Sequence, residues 1–295
     1  MDLSIIIVNW NVREYLNRCV ESIFKFTQNI TFEVIVVDNA SNDGSMTELR
    51  QLFRDKIQSG QLLLIENKQN AGFSRANNQG LKEAQGNHIL FMNPDMEFVE
   101  NTPRVMKNWL DHHPEAGIVT CKLLFGDKSL QPNIKHHPTW ISQAFILLKL
   151  HHLFVPKFVK HYLAKEFDYE STGEVEQVMG AFVYISHQLI NDLHGWDEDY
   201  WLSWEDVDLC RRVQKKGLKV FYLPDTNVIH YESKSFEKVP SVTKQRRFNR
   251  SLFIYFKKHH QPWEYYSLMA IAPISVLLAY VVQLFHAKPK PQSRF

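Results

Sequence analysis

A chain of 295 residues with 44% hydrophobic and 22% charged residues has the material for one large α/β domain or two smaller ones. A formal net charge of +2 argues against a protein that grips a polyanion with its whole surface, so no nucleic-acid partner is expected. Cys19, Cys121 and Cys210 are scattered without CxxC spacing, which argues against a disulfide framework or zinc cluster and favours a reducing compartment.

Met1-Asp2 leads almost directly into the apolar run 3–8, so no signal peptide is expected and the cytoplasm is the expected location. Further β-branched or apolar runs follow at 32–37, 62–65, 89–92 and 117–124. Between them lie helical spacings such as Tyr15, Leu16, Cys19, Val20, Ile23 and Phe24. The alternation predicts βαβ units in a Rossmann-like, mostly parallel central sheet flanked by helices. Such crossovers collect the carboxyl ends of the strands along one edge, where ligands bind. Polar residues gather there: Asn9-Trp10-Asn11, then 38–44, the loop 67–75, and Asn93-Pro94-Asp95. One polar terminus is ordinary turn chemistry, but four in succession point to a shared site. No GxGxxG or GxxxxGKS follows any strand, which leaves a nucleotide pocket built from side chains and a metal.

The segment "WISQAFILLKLHHLFVPKFVKHYL" (140–163) carries aromatics, aliphatics, His and Lys but no acid. It fits either a packed helical hairpin or a helix lying in a membrane interface. Strand and helix signals return at 175–186, and a short helix near 205–216 ends at Gly217. Two short strands are expected at 220–223 and 227–231. Six Lys or Arg and no acid lie between Lys244 and Lys258, and Lys288, Lys290 and Arg294 follow near the end. The stretch 267–285 has no formal charge and approaches the roughly 20 residues that span a bilayer, although Pro273, Ser275, Tyr280 and Gln283 interrupt it. The expected division is a domain at 1–240, with a nucleotide-binding half (1–125) and an acceptor half (126–240), followed by a membrane-associating segment at 241–295.

Asp95 ends a buried run, where an unpartnered carboxylate is costly. A divalent cation bound to a diphosphate is a favourable partner, because Mg2+ and Mn2+ use one or two carboxylates when phosphates supply the rest. Glu205, Asp206 and Asp208 crowd a helix start, and Asp208 lies one turn before Arg212 as a structural pair. A carboxylate of Glu205 or Asp206 facing a cleft suits proton abstraction from a hydroxyl. His230 is a candidate imidazole ligand beside a metal held by one carboxylate.

The motifs "SIIIVNWN", "VIVVDNASNDGS", "NAGFSRANNQG", "FMNPD", "GWDEDYWLSWEDVDLCRR" and "VIHYES", in that order, resemble the family 2 inverting glycosyltransferases of GT-A fold, and most of all the bacterial rhamnosyltransferases of surface polysaccharide synthesis. The resemblance runs from Leu3 to Glu232. It implies that Asp38 binds a pyrimidine base with help from Asn9 and Asn11. The loop with Asn70, Gly72, Arg75 and Asn77 would close over base and ribose, and Asn93 would lie on the nucleotide side. Asp95 and His230 would hold Mg2+ or Mn2+, Asp206 would be the general base, and Glu205 would orient the acceptor beside Trp201 and Trp204. The implied partners are a nucleoside-diphosphate sugar, such as dTDP-rhamnose, and a saccharide acceptor on a polyprenyl diphosphate. The implied location is the cytoplasmic face of the inner membrane, peripheral or C-terminally anchored. A UDP-hexose or UDP-N-acetylhexosamine donor, or a non-catalytic assembly subunit, are the alternatives. Asn93 departs from the family's Asp-x-Asp pair, and Ser186-His187 replaces residues that are often basic.

Overall fold

Six of the seven residues of β1 (Leu3–Asn9) are buried, because helices cover both faces of the strand. The computed structural model describes residues 1–232 and 241–286. From β1 the chain follows the expected alternation through α1 (Arg13–Phe26), β2 (Phe32–Asp38), α2 (Ser45–Leu52), α3 (Arg54–Gln58), β3 (Leu62–Glu66), α4 (Phe73–Glu83) and β4 (His88–Met92). These four strands pair in parallel in the order β3-β2-β1-β4. Alternate residues of β1 serve opposite faces. Ile5 and Ile7 share a core with Leu16, Cys19, Val20 and Ile23 of α1. Ile6 faces α4, where a Cβ at Gly80 would come within 2.6 Å of its Cγ2, so only glycine permits this close approach.

The chain continues through β5 (Met96–Phe98), α5 (Thr102–Asp111), β6 (Ala116–Leu124), β7 (Leu130–Gln131) and β8 (Ile134–Lys135), then α6 (Trp140–Leu147) and α7 (Lys157–Tyr162). Next come β9 (Gly173–Val175), β10 (Gln177–Val178), β11 (Phe182–Ser186), α8 (His187–Asp192), α9 (Glu205–Lys215) and β12 (Lys219–His230), and finally α10 (Ser241–His259) and α11 (Pro262–His286). The ten-stranded sheet has the order β3-β2-β1-β4-β11-β6-β12-β5, with β7 beside β6 and β9 beside β12. The expected parallel arrangement holds for β1 to β4 and for β6 with β12. It gives way at β11, which runs antiparallel to both β4 and β6. The Asn93 N–H donates to the Ala181 carbonyl at 2.9 Å, so β11 starts where β4 ends and must run back. The two short strands expected near 220 and 227 are one twelve-residue strand with a register shift between Leu223 and Asn227. Pro224, which lacks a ladder donor, sits at that irregularity.

Two compact units divide the chain: Met1–His137 with Glu166–Ser235, and Pro138–Lys165 with Phe236–Phe295. Residues 138–165, assigned by sequence to the acceptor half, thus cluster with the C-terminal helices. In this second unit, Thr139 and Ser142 form a reciprocal capping box on α6. Trp140 Nε1 donates to Ser267 Oγ at 2.6 Å. A buried polar seam joins α10 to α11, with Gln245 donating to Asn249 (2.8 Å) and Asn249 to Ser275 (2.9 Å). The segment 140–163 is two short helices joined by a turn at which Leu153 and Phe154 are exposed. Among the described residues one helix is long and apolar enough to cross a membrane, at Pro262–Val281, with a mean hydropathy of 1.4. Lys288, Lys290 and Arg294 lie outside the described residues.

Candidate active site

Parallel register sets Asn9 beside Asp38 at the ends of β1 and β2. Asn9 Nδ2 donates to Asp38 Oδ1 (2.7 Å) and Ser45 Oγ (2.9 Å), while the Ser41 N–H donates to Asp38 Oδ2 (2.9 Å). The Asp38 carboxylate is therefore held rigidly, and the Asn9 amide serves it rather than facing outward. Asn11 adopts a positive φ of 56°, and its Oδ1 accepts from the Asn42 N–H at 2.8 Å. The next loop is pinned from below: Asn39 Nδ2 donates to the Gly72 carbonyl (3.1 Å), and Asn70 Oδ1 accepts from the Gly72 N–H (2.9 Å). Gly72 has a φ of +88°, and a Cβ there would lie 2.6 Å from Trp201, so this position needs glycine on both counts. Arg75 is exposed and pairs with Glu198 at 3.0 Å. Asn77 is buried and donates to the Phe73 carbonyl at 3.1 Å within α4.

Asp95 and His230 meet because β5 pairs with β12: His230 stands opposite Met96, the residue after Asp95. Both side chains are buried, and His230 Nε2 lies 3.3 Å from Asp95 Oδ1. His230 Nδ1 faces Gln131 Oε1 at 2.9 Å. A carboxylate oxygen and an imidazole nitrogen this close in a buried place share a cation, either a proton or a metal. Neighbouring vertices of an octahedron with bonds of about 2.1 Å are about 3.0 Å apart, so the donor pair fits a divalent ion with little adjustment. No cluster of three or more His, Cys, Asp or Glu suited to a metal occurs among the described residues, so phosphate and water oxygens would have to complete the shell.

The third element is the start of α9. Ser203 and Trp204 enter it through consecutive left-handed conformations, φ 70° and 75°, which non-glycine residues adopt at a cost. Asp206 Oδ2 accepts from the Gly180 N–H at 2.8 Å and Oδ1 from the Val207 N–H at 2.8 Å. Glu205 is buried, and its Oε2 has no hydrogen-bond partner among the described residues. Burial, then the neighbouring Asp206 charge, pushes the Glu205 carboxyl well above the usual range. Burial also raises Asp206, but the Gly180 and Val207 N–H groups and the charge of Lys135 pull it back. Of the two, Asp206 is the one whose charged form its hydrogen bonds favour, and Glu205 the one held more strongly against ionising. Asp208 has the structural role expected of it: it accepts from Arg212 Nε at 2.6 Å, and Arg212 Nη1 also caps the Leu193 and Gly195 carbonyls. Trp204 is buried, whereas Trp201 is half-buried beside Gly72.

Gly180 immediately precedes Ala181, whose carbonyl receives the Asn93 N–H. Asp206 and Asp95 therefore flank one β4–β11 edge, Asp206 on the β11 side and the Asp95–His230 pair on the β4 side. Asn39, Asn78, Gly180 and Gln131 were not singled out from the sequence. Asn39 lies inside the polar segment 38–44, Asn78 lies on α4 beyond the loop 67–75, and Gly180 opens an apolar run, the place where a close backbone approach is signalled. Nothing in the sequence around Gln131 distinguishes it.

Glycosyl transferase family 2 matches residues 4–166, and Glycosyl transferase family group 2 matches residues 102–287. Over 248 residues the chain is 27% identical to the O-antigen biosynthesis protein RfbC of Myxococcus xanthus, covering 79% of this chain but only 17% of that protein's length. It is 22% identical over 276 residues to the N-acetylglucosaminyl-diphospho-decaprenol L-rhamnosyltransferase of Mycobacterium tuberculosis, covering 88% of this chain and 86% of that one. Among solved structures, the mannosyltransferase PcManGT from Pyrobaculum calidifontis, in complex with GDP-Man and Mn2+, aligns with a TM-score of 0.59 at 17% identity, over 98% of this chain and 75% of that one. With its mixed sheet and the carboxylates at its polar edge, the chain belongs to glycosyl transferase family 2 and is a glycosyltransferase of GT-A fold.

Proposed function

We propose that this glycosyltransferase moves L-rhamnose from dTDP-rhamnose, with inversion, onto a saccharide acceptor carried on a polyprenyl diphosphate, in cell-wall or surface polysaccharide synthesis. The hydrogen bond from Gly180 to Asp206, at the edge shared with Asp95 and His230, carries the mechanistic part. It fixes an ionisable carboxylate where an acceptor hydroxyl would approach the donor. Asp206 takes the hydroxyl proton while the oxygen bonds to the anomeric carbon, and the bond from that carbon to the diphosphate breaks. Protonated Glu205 offers a hydrogen bond that orients the acceptor. Asp95 and His230 would hold Mg2+ or Mn2+, which when bound neutralises charge on the leaving diphosphate. Asp38, Asn11, Asn70, Gly72, Arg75 and Asn93 line the nucleotide side, Asn9 acts through Asp38, and Trp201 offers a ring face to the acceptor.

The choice of rhamnose and of a lipid-linked acceptor rests on the name of a relative that matches over most of both chains. A donor panel of dTDP-rhamnose, UDP-glucose and UDP-N-acetylglucosamine, with a polyprenyl-diphosphate-linked acceptor and Mn2+, tests it. Product from dTDP-rhamnose alone is the expected result. Transfer only from a UDP sugar would replace the donor assignment with the UDP-hexose alternative.

The membrane part rests on the second unit. Arg246, Arg250 and Lys257 recur along one face of α10 and rim a groove of about 560 Å3 whose apolar wall includes Phe253, Met269 and Val276. On α11, Trp263, Tyr266, Ile274, Leu277 and Tyr280 are exposed. Cations beside exposed aromatic and aliphatic side chains suit an anionic bilayer surface, here the cytoplasmic face of the inner membrane. Flotation with phosphatidylglycerol vesicles should recover the protein, and Arg246→Glu with Arg250→Glu should return it to the aqueous fraction. Recovery of both proteins in the aqueous fraction would remove the membrane assignment.

A further inference from the structure

His230 is the buried end of a polar chain whose donors and acceptors can be assigned in order. Glu232, just beyond β12, accepts from Gln131 Nε2 at 2.8 Å. The Gln131 NH2 is therefore the end turned to Glu232. The amide oxygen is thereby turned to His230 Nδ1, 2.9 Å away. A carbonyl oxygen only accepts, so Nδ1 carries the proton. In the neutral ring the lone pair is left on Nε2, the nitrogen that faces Asp95 at 3.3 Å. Gln131 is almost fully buried on β7, held by the pairing of Gln131 with Leu123 of β6, so its amide is placed by the sheet.

We propose that Gln131, oriented by Glu232, is a positioning residue that locks His230 in the Nδ1–H tautomer and aims its Nε2 lone pair at the cation shared with Asp95. This rests on the assignment of Asp95 and His230 as the divalent-metal pair. A histidine that donates its second N–H to a fixed acceptor is a better-oriented and more basic ligand, and loss of such an acceptor lowers metal affinity by roughly 10–100-fold. Glu232 is exposed and has a left-handed φ of 46°, so the relay runs from the buried imidazole to the surface through one amide.

Two measurements on the full-length protein test it. The first is the 15N spectrum of the histidine rings in the metal-free protein at alkaline pH, where an imidazole is neutral. It should show His230 as Nδ1–H with an unprotonated Nε2, and Gln131→Met should shift the ring toward the other tautomer. The second is Mn2+ binding by electron paramagnetic resonance in the presence of dTDP, in which Gln131→Met should weaken affinity by roughly 10–100-fold. The exchange Gln131→Glu with Glu232→Gln rebuilds the same order, since the new glutamine donates to the new glutamate, which accepts from Nδ1. It should restore both readouts, which a loss of folding would not. If Gln131→Met keeps the tautomer, or changes it without weakening Mn2+, the positioning role is wrong. If Asp95→Asn and His230→Ala themselves leave Mn2+ affinity unchanged, the metal assignment fails instead.

Discussion

The N–H of Gly180 points at Asp206 Oδ2 across 2.8 Å, and the same glycine leaves no room for a side chain: a Cβ there would sit 3.0 Å from the Asp206 Cβ. Gly180→Ala should therefore displace the carboxylate and lower kcat by about 10-fold or more, within the range for impaired general-base catalysis. Affinity for Mn2+ and dTDP, measured by titration, should stay near wild type.

Asp206→Asn keeps the shape of the side chain but cannot take a proton. Transfer should slow by at least ~10²-fold with nucleotide binding retained. In the wild type, the raised Asp206 places the acid limb of kcat/KM above the ordinary aspartate value of about 3.9. Activity should rise with pH through that limb as the carboxylate ionises. Wild-type turnover in Asp206→Asn would make Glu205 the next residue to test as the base.

Glu205 links the site to stability. Its carboxyl is raised in the folded protein, so between the unfolded value of about 4.3 and the folded one the native state holds the extra proton. Stability from this group is complete below the unfolded value and is lost as pH rises through the folded one. Glu205→Gln removes that slope. Denaturant midpoints compared across pH should show the variant gaining on the wild type above about pH 4.3. A constant difference would mean that Glu205 is not the buried neutral acid.

Asn78 secures the loop that carries Trp201. Its amide accepts from the Trp196 N–H (2.8 Å) and donates to the Trp196 carbonyl (2.8 Å), while the Trp196 ring sits edge-on to Phe91. Asn78→Ala leaves these backbone groups without partners in a buried place, which should cost about 1–3 kcal/mol in denaturant unfolding.

Chelation should abolish transfer, and Mn2+ or Mg2+ should restore it. Asp95→Asn should raise the metal concentration needed for half-maximal activity, because the proposed Asp95–His230 pair would lose its carboxylate charge.

What was legible in the sequence follows from periodicity and end chemistry. β1, β2, β3 and β4 announced themselves as apolar runs that give way to polar residues, and Asp95 and His230 proved to be neighbours although they lie far apart in the chain. The antiparallel insertion of β11 was not legible, because a buried strand shows the same apolar run whichever way it runs. Composition cannot tell which way a side chain turns, so it was not legible that Asn77 bonds within its own helix and that Trp204 is buried. Gln131 was invisible for a related reason, since its role depends on a carboxylate 101 residues away.

The place of β11 between β4 and β6 also bears on how the protein is made. All five residues of β4 are buried in the finished sheet, yet the strand that covers one of its sides emerges from the ribosome roughly ninety residues later. At about 5–20 residues per second, the nascent chain carries a naked apolar strand for roughly 5–20 s. Such an unpaired border invites intermolecular pairing, so heterologous synthesis should give more soluble protein when cooled or supplied with chaperones that shield the emerging polypeptide.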